Sequence, residues 1–492
     1  MTSLWLDRAP AIVSDPWPEE EPEVLVAGAG LAGLATAVLL AGAGRRVAVV
    51  EARTVGAVTT GRSTAKVSLL QGTKLSTVLG QQPRERARGY VEASREAQSW
   101  VLDACERGAV PVQRREAVTY AADVRQLGPV RAEHEAAASL GLDVRWSDRL
   151  DVPWPHAGAT RLADQAQLDP VQLLSALVRE LRAAGGTLHQ GERVVSTSTA
   201  DGLRVRLEDG RLLRPGHLVL ATGTPVLDRG LHFARVEPKR SYVVAYEGVD
   251  VPAGMYLSAG SSSRSVRDAP APDLGTALLV GGAGHTVGRG GPTSRHLDQL
   301  RSWTARYFPH AIETHSWSAQ DYSPVDALPH VGVLPGSDGL VHVATGFDKW
   351  GMTTAVVAAL AVSGDLLGRE PAWSAPLLQR GVATGDALRA LSLNARVGLA
   401  ATVSAAQALT PVPEAPPEGV GRVGQGSEGA TATSTVDGTT CTVRAVCTHL
   451  GGVVRWNDAE RSWDCPLHGS RFAPDGTVLE GPATRPLRSP GT

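Results

Sequence analysis

The stretch from Cys447 to His468 constrains this chain more than any other part of its sequence. It contains two short pairs, Cys447-Thr-His449 and Cys465-Pro-Leu-His468, with fifteen residues between His449 and Cys465. Two Cys and two His can bind one tetrahedral zinc ion, or a [2Fe–2S] cluster in which two His replace two Cys on one iron. The motif therefore predicts a metal centre with these four side chains as ligands.

The residues that follow each pair favour the cluster over zinc. Leu450-Gly451-Gly452 follows the first pair, and Gly469-Ser470-Arg471-Phe472 follows the second. Together with residues 475–487 they resemble the two cluster-holding loops and the closing strands of Rieske iron–sulfur proteins. A zinc knuckle and a structural remnant without metal remain alternatives. A one-electron carrier implies an electron source elsewhere in the chain.

A Gly-rich segment near the start of the chain has the spacing of a dinucleotide-binding fingerprint. Apolar residues 24–27 lead into Gly28-x-Gly30-x-x-Gly33, a helix of small residues follows, and apolar residues 47–50 precede Glu51. These glycines permit a tight turn, close approach of a pyrophosphate and close helix–strand packing. The helix N-terminus attracts phosphate. Glu51 is placed to bind a ribose and disfavours the 2′-phosphate of NADP.

Two other interpretations of this run are a Gly-rich packing turn and a membrane span, because residues 24–44 are strongly apolar. The order of strand, turn and helix, with an acid eighteen residues after Gly33, favours the nucleotide.

Three later stretches favour FAD over NAD. Residues 59–66 form a loop of small residues that can lie along a ribityl chain. Residues 217–223 read as an apolar strand ending in Ala-Thr-Gly, and residues 341–353 as a strand, a loop and the start of a helix that extends to about Leu367.

These stretches resemble the D-amino-acid oxidase-type superfamily of FAD-dependent oxidoreductases, from about Glu23 to Leu367. The whole chain is similar to a bacterial subgroup with a C-terminal Rieske domain, whose motifs occur here at 59–66, 317–326 and 346–353. The resemblance implies an α/β Rossmann-like FAD-binding domain with an α+β antiparallel-sheet substrate domain, followed by a small all-β Rieske domain. It implies FAD and a Rieske-type [2Fe–2S] cluster as cofactors.

The fingerprint and the resemblance together predict the FAD-binding residues. The helix that starts near Gly351 is expected to direct its N-terminus at the pyrimidine edge of the flavin, where negative charge develops on reduction. The predicted residues are Gly28, Gly30, Leu31, Ala32, Gly33, Glu51, Ala52, Arg53, Thr60, Gly61, Ser63, Thr64, Ala65, Lys66, Val194, Ala221, Thr222, Gly223, Gly346, Phe347, Trp350, Gly351, Met352 and Thr353.

The same patterns divide the chain into four parts. Residues 1–22 form an N-terminal extension, and residues 23–388 form the oxidoreductase. Its FAD-binding segments are 23–75, 185–225 and 335–370, and its substrate and cap segments are 76–184 and 226–334. Residues 389–417 are a helix and a Pro-rich linker, and residues 418–492 are the Rieske domain.

Lys66 and Lys349 are the predicted catalytic residues, because both lie in proposed flavin loops where an ammonium can stabilise a reduced flavin. Further candidates near the substrate are Lys239, Arg240, Tyr242, His285 and Asp321. The pattern does not single out a general base. The amphipathic stretch 84–108 predicts a helix that caps the substrate side, and Asp169-Pro170 predicts the N-cap and first residue of another helix.

Four residues around the cluster motif bear on its potential. Where respiratory Rieske proteins carry a disulfide, this chain has Gly452 and Leu467. Ser470 is retained as a hydrogen-bond donor, and Phe472 replaces a tyrosine. Fewer donors predict a potential towards the low end of the Rieske range of roughly −150 to +300 mV. The two other cysteines, Cys105 and Cys441, are expected to be small buried hydrophobes.

Charge and composition limit the remaining possibilities. A net charge of −2 argues against nucleic-acid binding. No secretory signal is evident, so we expect a soluble cytoplasmic protein without a membrane span. Residues 281–284 do not form a second nucleotide fingerprint, so an organic substrate is expected to reduce the flavin. The chain ends too soon after the cluster motif for a mononuclear iron domain, which argues against ring hydroxylation.

The sequence therefore predicts an FAD-dependent dehydrogenase. It would oxidise a small organic substrate, an amine or amino acid, and pass electrons through the cluster to an external partner such as a ferredoxin or quinone. The alternatives are a reductase or monooxygenase fed through the cluster, and a non-catalytic redox carrier or sensor.

Overall fold

The computed structural model describes residues 1–227, 229–260, 262–271, 275–378, 384–409, 415–426 and 429–489. The predicted Pro-rich linker lies partly outside these residues. The α-helices are α1 Leu4–Asp7, α2 Leu31–Gly42, α3 Lys74–Gln81, α4 Arg84–Arg107, α5 Leu127–Ser139, α6 Pro170–Ala183, α7 Ser294–Tyr307, α8 Gly351–Leu367, α9 Ser374–Leu378 and α10 Thr384–Gln407.

The strands of the described residues fall into five sheets. They are β1 Val24–Ala27, β2 Val47–Glu51, β3 Lys66–Val67, β4 Val112–Ala121, β5 Val144–Ser147, β6 Gly158–Leu168, β7 Thr187–Gln190, β8 Val194–Ser198, β9 Arg204–Leu207, β10 Leu212–Leu213, β11 His217–Leu220, β12 Val236–Glu247, β13 Met255–Ser258, β14 Arg264–Ala271, β15 Gly275–Thr286, β16 Ile312–Pro324, β17 His330–Val333, β18 Val341–Thr345, β19 Gly421–Gly426, β20 Gly429–Val436, β21 Thr439–Arg444, β22 Arg455–Asn457, β23 Ser462–Asp464, β24 Arg471–Phe472 and β25 Val478–Glu480.

The nucleotide-binding layer is a six-stranded sheet in the order β17-β18-β11-β1-β2-β7. Its strands pair in parallel except β17, which pairs antiparallel with β18. Buried apolar strands such as β1 are typical of parallel sheets covered by helices. The small-residue helices α2 and α8 contact each other in its largest apolar core.

The second layer is a nine-stranded sheet in the order β16-β12-β15-β14-β13-β4-β6-β3, with β5 also paired to β6. Its pairs are antiparallel except β13 with β4. The predicted antiparallel pairing of the strands around 241–246 and 277–280 is confirmed by β12 and β15. This sheet stands over the carboxyl ends of β1 and β11, so the space between the layers is a natural ligand site.

Two predicted helices differ in how well they match expectation. The Asp169 side chain accepts hydrogen bonds from the N–H groups of Val171 (2.8 Å) and Gln172 (3.3 Å), which confirms the N-cap of α6. Helix α4 forms as predicted, but its buried face packs against α8 and α9. The prediction that it caps the substrate side was wrong, because the same apolar stripe is used for packing between helices.

The N-terminal extension is packed onto the flavin loop. Leu4 and Trp5 of α1 are buried. The Ser3 hydroxyl donates to the Gly61 carbonyl (2.6 Å), and the Trp5 indole donates to the Ser63 carbonyl (2.8 Å). These bonds fix two backbone carbonyls of the loop from outside.

The C-terminal domain contains two small antiparallel sheets, β19-β20-β21 and β22-β23-β24-β25. It packs against β12, the end of β15 and the start of α7. Its apolar core also contacts Val397 and Ala401 of α10, the helix that connects it to the oxidoreductase.

Candidate flavin cavity and cluster site

A cavity of about 660 Å³ lies between the two large sheets. It is lined by the ends of β1, β2 and β11, the loop 56–66, strands β12, β15 and β16, and the start of α8. Leu479, Glu480 and Gly481 of the C-terminal domain also line it. The cavity is therefore bounded by both large sheets and by the C-terminal domain.

The fingerprint glycines have the close contacts that their spacing predicts. Gly28 has a φ of +110°, and a Cβ there would lie 2.5 Å from the Ala221 carbonyl oxygen. A Cβ on Gly33 would lie 1.9 Å from the Gly28 carbonyl oxygen. Helix α2 can therefore approach β1 only with glycine at this position.

Glu51 closes β2 and turns back towards the fingerprint. Its carboxylate accepts hydrogen bonds from the N–H groups of Ala29 (2.8 Å) and Arg53 (2.9 Å). Burial raises the pKa of Glu51, and these two bonds oppose that shift. Both oxygens keep lone pairs for a ribose diol, which is the geometry the fingerprint predicts.

Most of the predicted FAD-binding residues line the cavity, and five do not. The five are Gly33, Gly61, Ala65, Gly346 and Thr353. Gly33 and Gly61 face backbone carbonyls, Gly346 packs on Pro324, and Thr353 accepts from the side-chain amide of Gln71 (3.0 Å). Those that line it are Gly28, Gly30, Leu31, Ala32, Glu51, Ala52, Arg53, Thr60, Ser63, Thr64, Lys66, Val194, Ala221, Thr222, Gly223, Phe347, Trp350, Gly351 and Met352.

The loop 346–350 has an unusual backbone that directs α8 at the cavity. Asp348 and Lys349 both have positive φ, at 51° and 68°. Asp321 accepts hydrogen bonds from the N–H groups of Lys349 and Tyr322, and Asp348 pairs with Lys74 at 2.6 Å. These bonds hold a conformation that non-glycine residues rarely adopt. Helix α8 begins at Gly351, as predicted.

Lys66 is a buried cation on the cavity wall. Its ammonium donates to the Ser265 hydroxyl (2.5 Å) and to the Tyr256 carbonyl (3.3 Å). Burial, with a smaller contribution from Arg267, lowers the pKa of Lys66 to about 7. A large share of this amine is therefore uncharged near neutral pH and can accept a proton.

Several other polar groups face the cavity. Lys239, Tyr242, His285, Asp321 and Lys349 line it, as the candidate set predicts. Among the residues that the structure describes, the Ser241 and Tyr242 hydroxyls and both His285 ring nitrogens have no hydrogen-bond partner. Burial raises the pKa of Asp321 to about 6 and lowers the pKa of Lys349.

Arg240 does not belong with these groups. Its guanidinium is turned away from the cavity and binds Glu460 and Glu480 of the C-terminal domain. Its neighbours Lys239 and Ser241 line the cavity, so the alternation of side chains along β12 places Arg240 on the opposite face. The prediction that Arg240 lies at the substrate was therefore wrong.

The four predicted cluster ligands meet at one end of the C-terminal domain. A hydrogen bond from the Cys465 thiol lowers the pKa of Cys447 to about 7, and the same bond raises the pKa of Cys465. The His449 and His468 rings lie 5.3 Å apart between centroids. Backbone N–H groups of His449 and Leu450 donate to the Cys447 sulfur, as does the Ser470 hydroxyl, and those of Leu467 and His468 donate to the Cys465 sulfur.

This donor set fits an iron–sulfur cluster. Two thiols on one side and two imidazoles on the other provide two protein ligands for each iron. N–H and O–H groups directed at the sulfurs stabilise their negative charge. Within the described ranges, no three His, Cys, Asp or Glu side chains are arranged to hold one metal ion.

Sequence reasoning missed what surrounds the cluster. The Phe233 ring contacts both histidine rings, at 5.4 Å from His449 and 4.7 Å from His468. A Cβ on Gly452 would lie 2.6 Å from Leu467 Cγ, so an apolar contact occupies the place of the disulfide. Cys105 is buried as expected, but Cys441 is only half-buried, because it lies on β21 at the surface of a small sheet.

Comparison with known proteins agrees with both sites. Residues 23–363 match the family of FAD dependent oxidoreductases, and residues 410–491 match the Rieske [2Fe-2S] domain.

The chain belongs to the FAD dependent oxidoreductase family. It has a D-amino-acid oxidase-type fold, it binds FAD, and its C-terminal domain is a Rieske domain that binds a [2Fe–2S] cluster. The zinc and remnant alternatives are therefore set aside.

One relative matches nearly the whole chain, and another matches part of the C-terminal domain. The Rieske 2Fe-2S iron-sulfur protein YhfW of Bacillus subtilis (strain 168) is 30% identical over 99% of this chain and 96% of its own. The chloroplastic cytochrome b6-f complex iron-sulfur subunit of Bigelowiella natans is 56% identical over 46 residues, which are 9% of this chain and 18% of its own.

Solved structures share the fold of the oxidoreductase part. Glycine oxidase from Geobacillus kaustophilus superposes with a TM-score of 0.61 at 18% identity, covering 73% of this chain and 98% of its own. L-amino acid deaminase from Proteus vulgaris gives 0.61 at 15% identity, covering 75% and 99%. In the described part of the chain, no helix is both long enough and apolar enough to cross a bilayer.

Proposed function

We propose that this flavoprotein is a dehydrogenase that oxidises a small amino acid and delivers the electrons, through its Rieske cluster, to an external one-electron carrier. Oxidation removes two electrons and two protons from a CH–NH unit and leaves a C=N bond that water hydrolyses. Two equivalents of an oxidised carrier, such as a ferredoxin, are then reduced. Bound FAD supplies the two-electron acceptor, and the cluster supplies the one-electron centre.

The observation that carries the proposal is the contact between the cavity wall and the cluster loop. The side-chain amide of Gln320 donates to the Gly469 carbonyl (2.9 Å), next to the predicted ligand His468, and to the Tyr322 hydroxyl (3.0 Å). Tyr322 lines the cavity, and so do Ala319 and Asp321 on either side of Gln320. One side chain thus connects the two redox sites.

A cavity lined by polar groups without hydrogen-bond partners supports catalysis rather than electron carriage alone. The unpaired Ser241, Tyr242 and His285 groups are available to a small polar ligand. A cation is also available, because Lys349 lines the cavity and its ammonium lies 3.1 Å from the Cβ position of Gly284. Glycine at position 284 leaves room for that ammonium. A ligand carboxylate suits this set, which favours an amino acid over a simple amine.

Lys66 is the proposed proton acceptor. It is buried, it faces the cavity, and its hydrogen bonds go to a hydroxyl and a carbonyl. Burial lowers its pKa to about 7, so the free amine forms as pH rises through neutrality. An uncharged amine at this wall can take the proton from an incoming ammonium group and leave the substrate amine ready for oxidation.

The test is an anaerobic titration of the holoenzyme with a panel of amino acids and matching amines. Flavin bleaching and the EPR signal of the reduced cluster are followed together. We expect an amino acid to bleach the flavin and the cluster signal to rise with it, with fast transfer to a one-electron dye and slow reaction with oxygen.

Two outcomes would contradict the proposal. Rapid stoichiometric peroxide formation that persists without Cys447 would indicate a simple oxidase. Reduction of cluster and then flavin by NADH plus ferredoxin, with no response to any amino acid or amine, would indicate the reverse flow of a reductase or monooxygenase.

A further inference from the structure

A closed group of charges is buried where the Rieske domain meets the oxidoreductase. We call it the Arg240 cluster: Arg62 and Arg240 from the oxidoreductase, and Glu460, Asp464, Arg471 and Glu480 from the Rieske domain. Arg240 binds Glu460 and also Glu480 (3.2 Å). Arg471 binds Glu460 (3.0 Å), Asp464 (3.0 Å) and Glu480 (2.6 Å).

The charges balance, three cations against three anions, and most of these side chains are buried. The side chains of Arg240, Glu460, Arg471 and Glu480 are each no more than 7% exposed. Burial acts to raise the pKa of Glu460, but the charges of Arg240 and Arg471 outweigh it and hold that pKa below its usual range. Separating the domains would remove Arg62 and Arg240 and leave three Rieske-domain carboxylates with Arg471 alone, which opposes separation.

The cluster reaches both redox sites. Arg471 follows Ser470 in the loop that holds the predicted ligands Cys465 and His468. At the other end, Arg62 belongs to the flavin loop and lies 3.8 Å from Glu460. Arg62 and Glu480 both line the flavin cavity.

Further contacts leave the domain little freedom. A Cβ on Gly469 would lie 2.5 Å from Pro238 Cβ, and one on Gly288 would lie 2.7 Å from the Pro466 nitrogen. The Asp458 carboxylate accepts from the N–H of Thr293 (2.6 Å) and the hydroxyl of Ser294 (2.6 Å). A Rieske-domain carboxylate thus caps helix α7 of the oxidoreductase, where an anion is favoured.

We infer that Arg240 is a positioning residue that fixes the Rieske domain as a permanent wall of the flavin cavity. The domain does not swing between partners. It closes the cavity with residues 479–481 and holds its cluster at one distance from the flavin site. Retention of FAD therefore depends on a contact made by the other redox domain.

The test compares FAD binding and domain docking in the full-length holoenzyme. In Arg240→Gln, we expect the Kd for FAD to rise at least about tenfold. Hydrogen exchange in segments 465–472 and 478–481 should accelerate, while the EPR signal of the Rieske cluster persists. Arg240→Lys should recover part of the effect, because it restores one charge without the two-pronged geometry.

Arg115→Gln is the matched control. Arg115 lies on the same large sheet and binds the buried Asp268 (2.6 Å), and within the described part of the chain its hydrogen bonds and ion pair do not reach the Rieske domain. Its FAD affinity should stay within about twofold of the parent, because Arg115 does not line the flavin cavity. If Arg240→Gln matches this control in FAD affinity and exchange, the inference is overturned.

A second variant covers the case in which Arg240→Gln does not fold. Thr293→Val removes a hydroxyl that donates to Asp458 (2.6 Å) at a separate point of the interface. It should accelerate exchange in segment 465–472 without loss of the cluster signal. Unchanged exchange would argue against a docked domain.

Only the consequence for transfer rate rests on the proposed function. The flavin can be reduced by light without any amino acid, and the rate at which the cluster is then reduced can be measured. This rate should not depend on viscosity in the parent, and it should depend on viscosity in Arg240→Gln. No transfer in the parent would refute the proposed electron path. The exchange and FAD measurements would still decide the docking.

Discussion

The two redox sites of this protein are built in opposite ways. The predicted cluster ligands fall within residues 447–468 and are fixed by two short loops. The flavin cavity is lined by residues from Ala27 to Gly481, drawn from four of the five sheets that the structure describes. The cluster site tolerates few substitutions inside its own motif. The flavin cavity depends instead on how segments that are distant in sequence pack together. Each experiment below tests one side of this contrast.

Loss of a cluster ligand should have the largest effect. Cys447→Ser should abolish the Rieske EPR signal and lower the rate of dye reduction by at least about 100-fold, while flavin bleaching by substrate continues. Cys441→Ser is the control, because Cys441 is half-buried on β21 and outside the ligand set. Equal activity of both variants would show that electrons bypass the cluster.

Adding a single methyl group to the glycine fingerprint should have the second largest effect. Gly33→Ala places a Cβ 1.9 Å from the Gly28 carbonyl oxygen, so α2 must shift and the protein should be purified without FAD. Gly42→Ala in the same helix meets no atom within 4 Å and should raise the melting temperature slightly. The FAD content of each purified variant, measured by absorbance, tests this difference.

Removing the amine of Lys66 should slow chemistry without emptying the site. Lys66→Met should lower the rate of flavin reduction by about 10²- to 10⁴-fold. In the parent the rate should rise with pH through about 7, because the free amine forms there, and this step should vanish in the variant. A rising limb that persists in Lys66→Met would assign the ionisation to another group, such as Asp321.

The smallest effect concerns the potential of the cluster. Ser470→Ala removes a hydroxyl that donates to the Cys447 sulfur and should lower the midpoint potential by roughly 50 mV, equivalent to about tenfold in a one-electron equilibrium. Thr448→Val loses only a bond to the Arg485 carbonyl and should not change it. A parent midpoint above about +200 mV would contradict the expected low potential.

The contrast also explains what the sequence could predict. Cluster ligands and the glycine fingerprint are local patterns, so their residues could be named from spacing. The pattern predicts a helix from near Gly351 to about Leu367, and α8 extends from Gly351 to Leu367.

The substrate half of the cavity depends on long-range register, which spacing does not encode. Alternation along β12 places Arg240 on the face opposite Lys239 and Ser241, where its partners Glu460 and Glu480 come from the distant Rieske domain. Lys74 pairs with Asp348 and supports the strained loop 346–350. It is not predicted from the sequence, because a lone lysine at the start of a helix belongs to no recognisable pattern. The closing of the cavity by Gly481 could not be foreseen from either domain separately.

The packing of α1 has a practical consequence for anyone who makes this protein. Met1 lines a small cleft beside Arg53, Arg62 and Glu480, and Ser3 and Trp5 bind the flavin loop directly. An affinity tag fused ahead of Met1 would start inside this cleft, and a clone trimmed by a few codons would lose both carbonyl contacts. Either change would disturb the flavin loop, and the resulting loss of FAD would be mistaken for weak binding by the protein itself. A tag is therefore better placed away from the amino terminus.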